Sequence, residues 1–532
     1  MLRIPSSLSP SPGALSAATA GPRSSDAHTS VQRAAAGQSW AERYPVRMPA
    51  IFFIVTLLLL ALHQGKIVQL LYPPAAFGIA VLFYRRLPVH YISFVCWLFF
   101  LSPLVRRLVD FESSTFNDKS LVLIAPMLAV ALSGFSLLKN LEALGQRRCA
   151  PLVLIVVALF YAFIVGMTQV GIAAALFTLV NWLFPALIGF HLLATWEHYP
   201  VYHRVLLKTS VYGGFVMGLY GVIQFIQPPP WDAFWLINSK MMNAVGQPVP
   251  FNMRIWSTTN STGPFAMIMM YMLVMSFAAR GRMRIAMAVF GVPALMFTSV
   301  RSCWGGIFIG LLYPIAMLDG KSRVRLIAGI LGIGVLCAPM MMFDEISSKL
   351  AKRFDSIENI SHDDSFQSRA GFYDAFLPIA ISNIAGQGLG TTGNGTKLAD
   401  DKAIKSGGVV FDSGLMEVPF VLGWPGTLLY ASGIFMLMWR AFLASRLRPH
   451  DRFAICGVGV SIAIFAQMPM VNTLTSTPGM FFFIGVMMPV IGLRYARHTA
   501  HRANRAAAAA TRGAAAASAA AGEVPVVARR WV

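Results

Sequence analysis

Residues 150–194, "APLVLIVVALFYAFIVGMTQVGIAAALFTLVNWLFPALIGFHLLA", decide the fold class. They contain no Asp, Glu, Lys or Arg and divide at Gly171 into two apolar runs. Each run reaches the ~20 residues an α-helix needs to cross a hydrocarbon core. Outward from here, similar runs fall at 49–65, 67–84, 88–105, 120–138, 149–168, 171–195, 205–226, 262–279, 284–299, 302–318, 324–343, 415–439, 452–470 and 478–494. The pattern predicts an all-α polytopic membrane protein with about 14 transmembrane helices (roughly 12–14).

Composition agrees. Of 532 residues, 56% are hydrophobic and only 12% charged, against about a quarter charged in soluble domains. The formal charge of +21 does not point to nucleic acid, because no basic stripe interleaved with aromatics occurs. Arg85, Arg86, Arg147, Arg148, Arg204, Lys208, Arg280, Arg282 and Arg284 fall in alternate short loops, as do Lys321, Arg323, Arg325, Arg440, Arg446, Arg448 and Arg452. The positive-inside rule makes those loops cytoplasmic and predicts cytoplasmic termini. Arg106 and Arg107 are the exceptions, on the opposite side. Five scattered cysteines without metal or redox spacing read as small core residues. His63, His90 and His191 sit singly on apolar segments and read as packed or interfacial.

Residues 1–45, rich in Ser, Ala, Pro and Gly, lack the apolar core of a signal peptide and read as a disordered cytoplasmic tail. Residues 46–498 form the membrane domain, and the Ala-rich residues 499–532 read as a second, low-complexity cytoplasmic tail that can carry a transient helix. Two long loops fall on the outer side, 227–261 and 344–414, and long loops on a compact bundle carry function. In the second, "DDSFQSRAGFYDAFLPIAI" (363–381) predicts an amphipathic helix. "GQGLGTTGNG" (386–395) predicts an irregular turn; with no strand–helix unit around it, it is not a dinucleotide fingerprint. Asp363, Asp364 and Asp374 match no defined metal spacing.

Three arginines stand on the outer side. Arg254 precedes the span at 262–279, Arg301 separates two spans and Arg369 lies in the amphipathic segment. Each either snorkels to headgroup phosphates or joins the others in one anion site, where the planar guanidinium grips phosphate oxygens in pairs. Asp412, just before the span at 415–439, is either a water-facing loop charge or a carboxylate held in a polar cavity. Glu417 fits an acid at a helix N-terminus.

The order of these motifs resembles the O-antigen ligase and polysaccharide polymerase superfamily, bacterial inner-membrane enzymes similar to lipid-carrier-dependent glycosyltransferases of the GT-C type. Five segments between about residues 250 and 430 carry the likeness. They are "MRIWSTTNSTGPFA", an Arg followed by a polar, Asn-containing turn and a span, "SVRSCWGG" opening a span, Ser365 with Arg369 and Phe372 or Tyr373, "GQGLG", and "FDSGLMEVPFVLGWPG". Two departures stand out. Ligases of the family usually have His, followed by Asn, where this chain has Asp412 and Ser413; an Asp there is more common in polymerases. The Ser-Arg-Gly turn is also altered, with Ser302 and Cys303 after Arg301 and the glycines delayed to Gly305 and Gly306.

The resemblance implies a polymerase of exopolysaccharide, capsule or O-antigen at the periplasmic face of the bacterial inner membrane. Its donor would be a polyprenyl-diphosphate-linked oligosaccharide, transferred with inversion and without metal or cofactor. Arg254, Arg301 and Arg369 would bind the diphosphate, and Asp412 would act as base beside Arg301 and Arg369 in catalysis. Membrane lipids surround the chain, chain-length regulator and flippase proteins are candidate partners, and no nucleic acid is expected. The alternatives are a ligase that transfers finished polymer to the lipid A core and, in another class, a lipid-linked sugar flippase. A flippase fits less well, since no internal repeat is evident.

Overall fold

A computed structural model describes residues 45–117, 119–337, 382–399 and 413–522, with residues 371, 378 and 411. Residues 1–50 and residues 51–532 are separate units, and the helix bundle belongs to the second. Its helices are α1 (Arg47–Ala61, of which all but the first turn belongs here), α2 (Gly65–Arg86), α3 (Pro88–Glu112), the broken α4 (Leu121–Lys139), α5 (Ala150–Val170), α6 (Ile172–Ala194) and α7 (Tyr199–Ile226). The short α8 (Pro230–Asn238) is followed by α9 (Thr262–Ser276), α10 (Met283–Phe297), α11 (Arg301–Met317), α12 (Gly320–Cys337), α13 (Gly414–Arg446), α14 (Arg452–Phe465) and α15 (Ser476–Gly522). Among the described residues there is no β-strand, only an isolated antiparallel bridge, Gly246 to Met253.

Among the described residues, eight helices are long and apolar enough to cross a membrane: α2 to α7, α13 and α15. Shorter helices cover the other apolar runs of the sequence. The chain closes on itself, since α13 packs along α5, and α15 lies against both α6 and α14.

One expectation changes. Arg204 and Lys208 are not loop residues, because α7 begins at Tyr199, helped by Pro200 in its first turn. The C-terminal segment continues the last helix: α15 runs through 47 residues to Gly522. Alanine has the best helix propensity, so the Ala-rich stretch propagates a helix already nucleated by the packed segment before it. Residues 499–516 of this extension are exposed.

"GQGLG" is irregular, as expected, and it is packed inside the bundle. It inserts its backbone between α5, α6 and α13. The cause lies in α13, where Pro425 offers no N–H to the carbonyl of Val421 and Gly423 takes φ +63°. The wedge repairs the ladder: Gln387 N–H donates to the Phe420 carbonyl (2.8 Å), Gly388 N–H to Val421 (3.0 Å), and Trp424 N–H to Ile384 (3.0 Å). On the other flank Leu389 N–H donates to Ala162 of α5 (2.9 Å). Contact this close needs glycine. Gly388 has φ +82°, and a Cβ there would lie 2.1 Å from the Gly166 nitrogen. Gly388→Ala is therefore expected to destabilise the fold by at least about 3 kcal/mol, from left-handed strain together with the backbone displacement. Gly332→Ala in α12, where an added Cβ meets nothing, should be neutral or slightly stabilising. Thermal unfolding of both variants in detergent checks this.

Candidate functional site

Arg254 and Arg301 both lie at the turn between α10 and α11. Phe297 ends α10, Ser299 takes a left-handed φ of +56°, and Arg301 is the first residue of α11. Thr298, fully buried, holds the turn together by donating to the Leu295 carbonyl (2.6 Å) and accepting from the Val300 N–H (3.2 Å).

Arg254 reaches the same turn from the preceding loop, its Nε donating to the Thr298 carbonyl at 2.9 Å. The strand-like segment carrying it is fixed on both sides. Arg254 N–H donates to Val245 (2.7 Å) and Ile255 N–H to Phe297 (3.3 Å), while Phe225 stacks on Phe297 at 3.8 Å. Arg254, remote in sequence, is thus anchored on the turn that leads into Arg301, and both arginines are half-buried.

Arg106 and Arg107 find their account here. Arg107 and Asp232 form an ion pair at 2.8 Å with no side-chain exposure on either partner; the contact is one of charge rather than an aligned hydrogen bond. Arg107 Nη2 also donates to the Ser257 carbonyl (2.5 Å). Asp232 accepts from Gln224 (2.6 Å) and Tyr220 (2.9 Å). Gln224 in turn accepts from the backbone N–H groups of Trp256 and Ser257 (3.1 and 2.9 Å). Burial pushes the Asp232 carboxyl up from its ordinary range, while Arg107, Gln224 and Tyr220 draw it back down. Arg106 pairs with Asp110 one turn along (2.8 Å) and donates to the Asn117 carbonyl (2.7 Å). This network pins residues 256–257, and with them Arg254 two positions earlier.

Removing one partner of a buried pair strands the other charge. Arg107→Ala is expected to cost about 3–5 kcal/mol, and Arg107→Met combined with Asp232→Leu should recover most of that loss. Unfolding midpoints of the single and double variants measure the coupling. A double variant no more stable than Arg107→Ala would contradict this assignment.

A second junction joins Arg301 to the start of α13. Gln467, on the turn after α14, donates from Nε2 to the Ser302 carbonyl at 2.8 Å. Gly306 makes room for it, since a Cβ there would lie 2.6 Å from that Nε2. One residue on, the Met468 carbonyl accepts from Gly414 N–H (2.8 Å). Glu417, in the first turn of α13, accepts from the Thr392 hydroxyl on the inserted wedge (2.9 Å). Asn472 stands beside the same carboxylate without an aligned hydrogen bond.

Asp412 lies outside the described residues, but Phe411 and Ser413 on either side are described and buried, and Phe411 packs its ring on Phe420 at 4.8 Å. Arg369, and with it Ser365, Phe372, Tyr373, Asp363, Asp364, Asp374 and most of the amphipathic segment, also lies outside the described residues. The structure therefore brings together Arg254, Arg301 and the flanks of Asp412. Of the supporting residues, Gln224 carried a signal in the sequence, as an amide inside an apolar span. Gln467 and Thr392 carried none, because ordinary turn residues acquire roles only through contacts distant in sequence.

Chemically, an arginine anchored on this turn beside another that opens the following helix suits a multiply charged anion. No known protein-family model matches this chain, and no curated protein matches its sequence.

Proposed function

We propose that this chain is a glycosyltransferase of the O-antigen ligase and polysaccharide polymerase superfamily, with about fourteen membrane crossings. It joins oligosaccharide repeats carried on polyprenyl diphosphate, at the periplasmic face of a bacterial inner membrane, with both termini cytoplasmic. The observation that carries the proposal is the anchoring of Arg254 on the Thr298–Val300 turn that leads into Arg301, tied through Gln467 to the chain next to Asp412.

In the proposed reaction, a hydroxyl of the acceptor sugar attacks the anomeric carbon of the donor. The new C–O bond forms as the bond to the diphosphate oxygen breaks, inverting the anomeric centre. Polyprenyl diphosphate leaves with the bonding electrons, and the hydroxyl proton passes to the Asp412 carboxylate. Charge grows on the leaving diphosphate, and Arg254, Arg301 and Arg369 stabilise it there. Fixed hydrogen-bonded anchors such as Arg254 Nε on Thr298 hold the guanidinium in place before charge develops, so little reorganisation is needed in the transition state. An Asp rather than a His at position 412 favours polymerase over ligase.

Deletion of the gene followed by analysis of surface glycans tests the proposal. Accumulation of lipid-linked single repeats without long chains is the expected result. Finished polymer stranded on the carrier would identify a ligase, and unaltered glycans would contradict the proposal.

A further inference from the structure

At the far end of α13 from Gly414, a cavity of about 950 Å³ opens between α7, the turn before α10 and the turn between α13 and α14. Arg204, Lys208, Arg280, Arg448 and Arg452 all line it. Arg204 and Lys208 are four residues apart on α7 and so share a face. One carboxylate, Asp451, faces this set, and it is already engaged. It pairs with Arg448 (3.0 Å), accepts from the Tyr199 hydroxyl, and caps α14 through the Ala454 N–H (3.1 Å). The remaining cations share one cavity with no second carboxylate among the described residues of its lining. The positive-inside rule calls for basic residues on this side of the membrane, but it does not call for them around a single cavity, where they repel one another. The wall is also amphipathic: Leu207, Val211 and Tyr212 continue it along α7, and Tyr212 is half exposed.

We propose that this cavity binds the phosphate headgroup of an anionic phospholipid from the leaflet on the basic side, with its acyl chain lying on Leu207, Val211 and Tyr212. Basic pockets between membrane helices take such headgroups, and the apolar wall favours a lipid over a soluble phosphate. The proposal does not depend on the transferase assignment.

The test titrates phosphatidylglycerol onto the full chain purified in neutral detergent, with bound copies counted by native mass spectrometry and thermal stability read in parallel. Lys208 and Arg280 are exposed, so Lys208→Gln with Arg280→Gln should leave the fold intact. At about 1 kcal/mol for each basic residue near the surface, phosphatidylglycerol should bind the double variant roughly thirty-fold more weakly, and the lipid should no longer raise its unfolding temperature. Arg147→Gln with Arg148→Gln, on the same side but outside the cavity, should bind as the wild type does. Equal binding by all three proteins, or an equal loss in both variants, would overturn the proposal. Stabilisation by inorganic diphosphate but not by phosphatidylglycerol would identify a soluble phosphate compound and overturn the lipid assignment.

Discussion

Asp412→Asn is expected to lower polymer formation by about 10²–10⁴-fold, the usual contribution of a general base, while the protein still retains its lipid-linked donor. The substitution preserves size and removes the basic oxygen. Its neighbours are anchored by contacts that do not involve the carboxylate: Gly414 N–H donates to Met468, and Phe411 packs on Phe420. The variant should therefore fold. Glu417, five residues on, is the obvious rival base, but its carboxylate accepts from Thr392 and so ties the wedge to α13. Glu417→Gln should accordingly lower thermal stability more than it lowers turnover per folded molecule. A normal rate from Asp412→Asn would place the base elsewhere. Loss of donor binding together with turnover would make Asp412 a partner that holds an arginine in place.

Arg301→Ala is expected to reduce polymer formation by about 10²–10³-fold, comparable to the loss of one preorganised group that stabilises developing charge. Arg301→Lys should retain an intermediate rate, because the ammonium keeps the charge but loses the paired donors of the guanidinium. The ordering of wild type, Lys and Ala at equal protein level separates phosphate binding from snorkelling, in which Ala would retain full activity. Position supports the ordering. Arg301 opens α11, where helix N-terminal N–H groups add their own partial positive charge.

The membrane fold was legible because apolar length is a one-dimensional signal. The two runs flanking Gly171 became α5 and α6, with Gly171 at φ +85° between them. Starts and ends were less legible: α7 begins six residues before the apolar run does, on amphipathic side chains that hydropathy alone scores as loop. The inserted wedge could not be read from "GQGLG" alone. Its reason is a missing N–H at Pro425, more than thirty residues away.

The site was legible in part. Arg254 and Arg301 stood out because guanidinium groups beside apolar spans are costly and rare. The anchoring of Arg254 on Thr298, three residues before Arg301, could not be foreseen, since it depends on the fold of residues 227–261. That fold rests on Arg107, which charge patterning marked only as an exception. The explanation is burial: paired with Asp232, Arg107 behaves as an internal strut and escapes the bias that sorts loop charges between the two sides.

The most direct test of the central claim uses the purified chain, reconstituted in lipid with a polyprenyl-diphosphate-linked repeat as its sole sugar substrate. Product length and released polyprenyl diphosphate are measured together. The account predicts chains of two or more repeats, with one polyprenyl diphosphate released for each linkage formed, and neither product from Asp412→Asn above about one-hundredth of the wild-type rate. Intact donor recovered without linkage or release, under conditions where the donor binds, would contradict it.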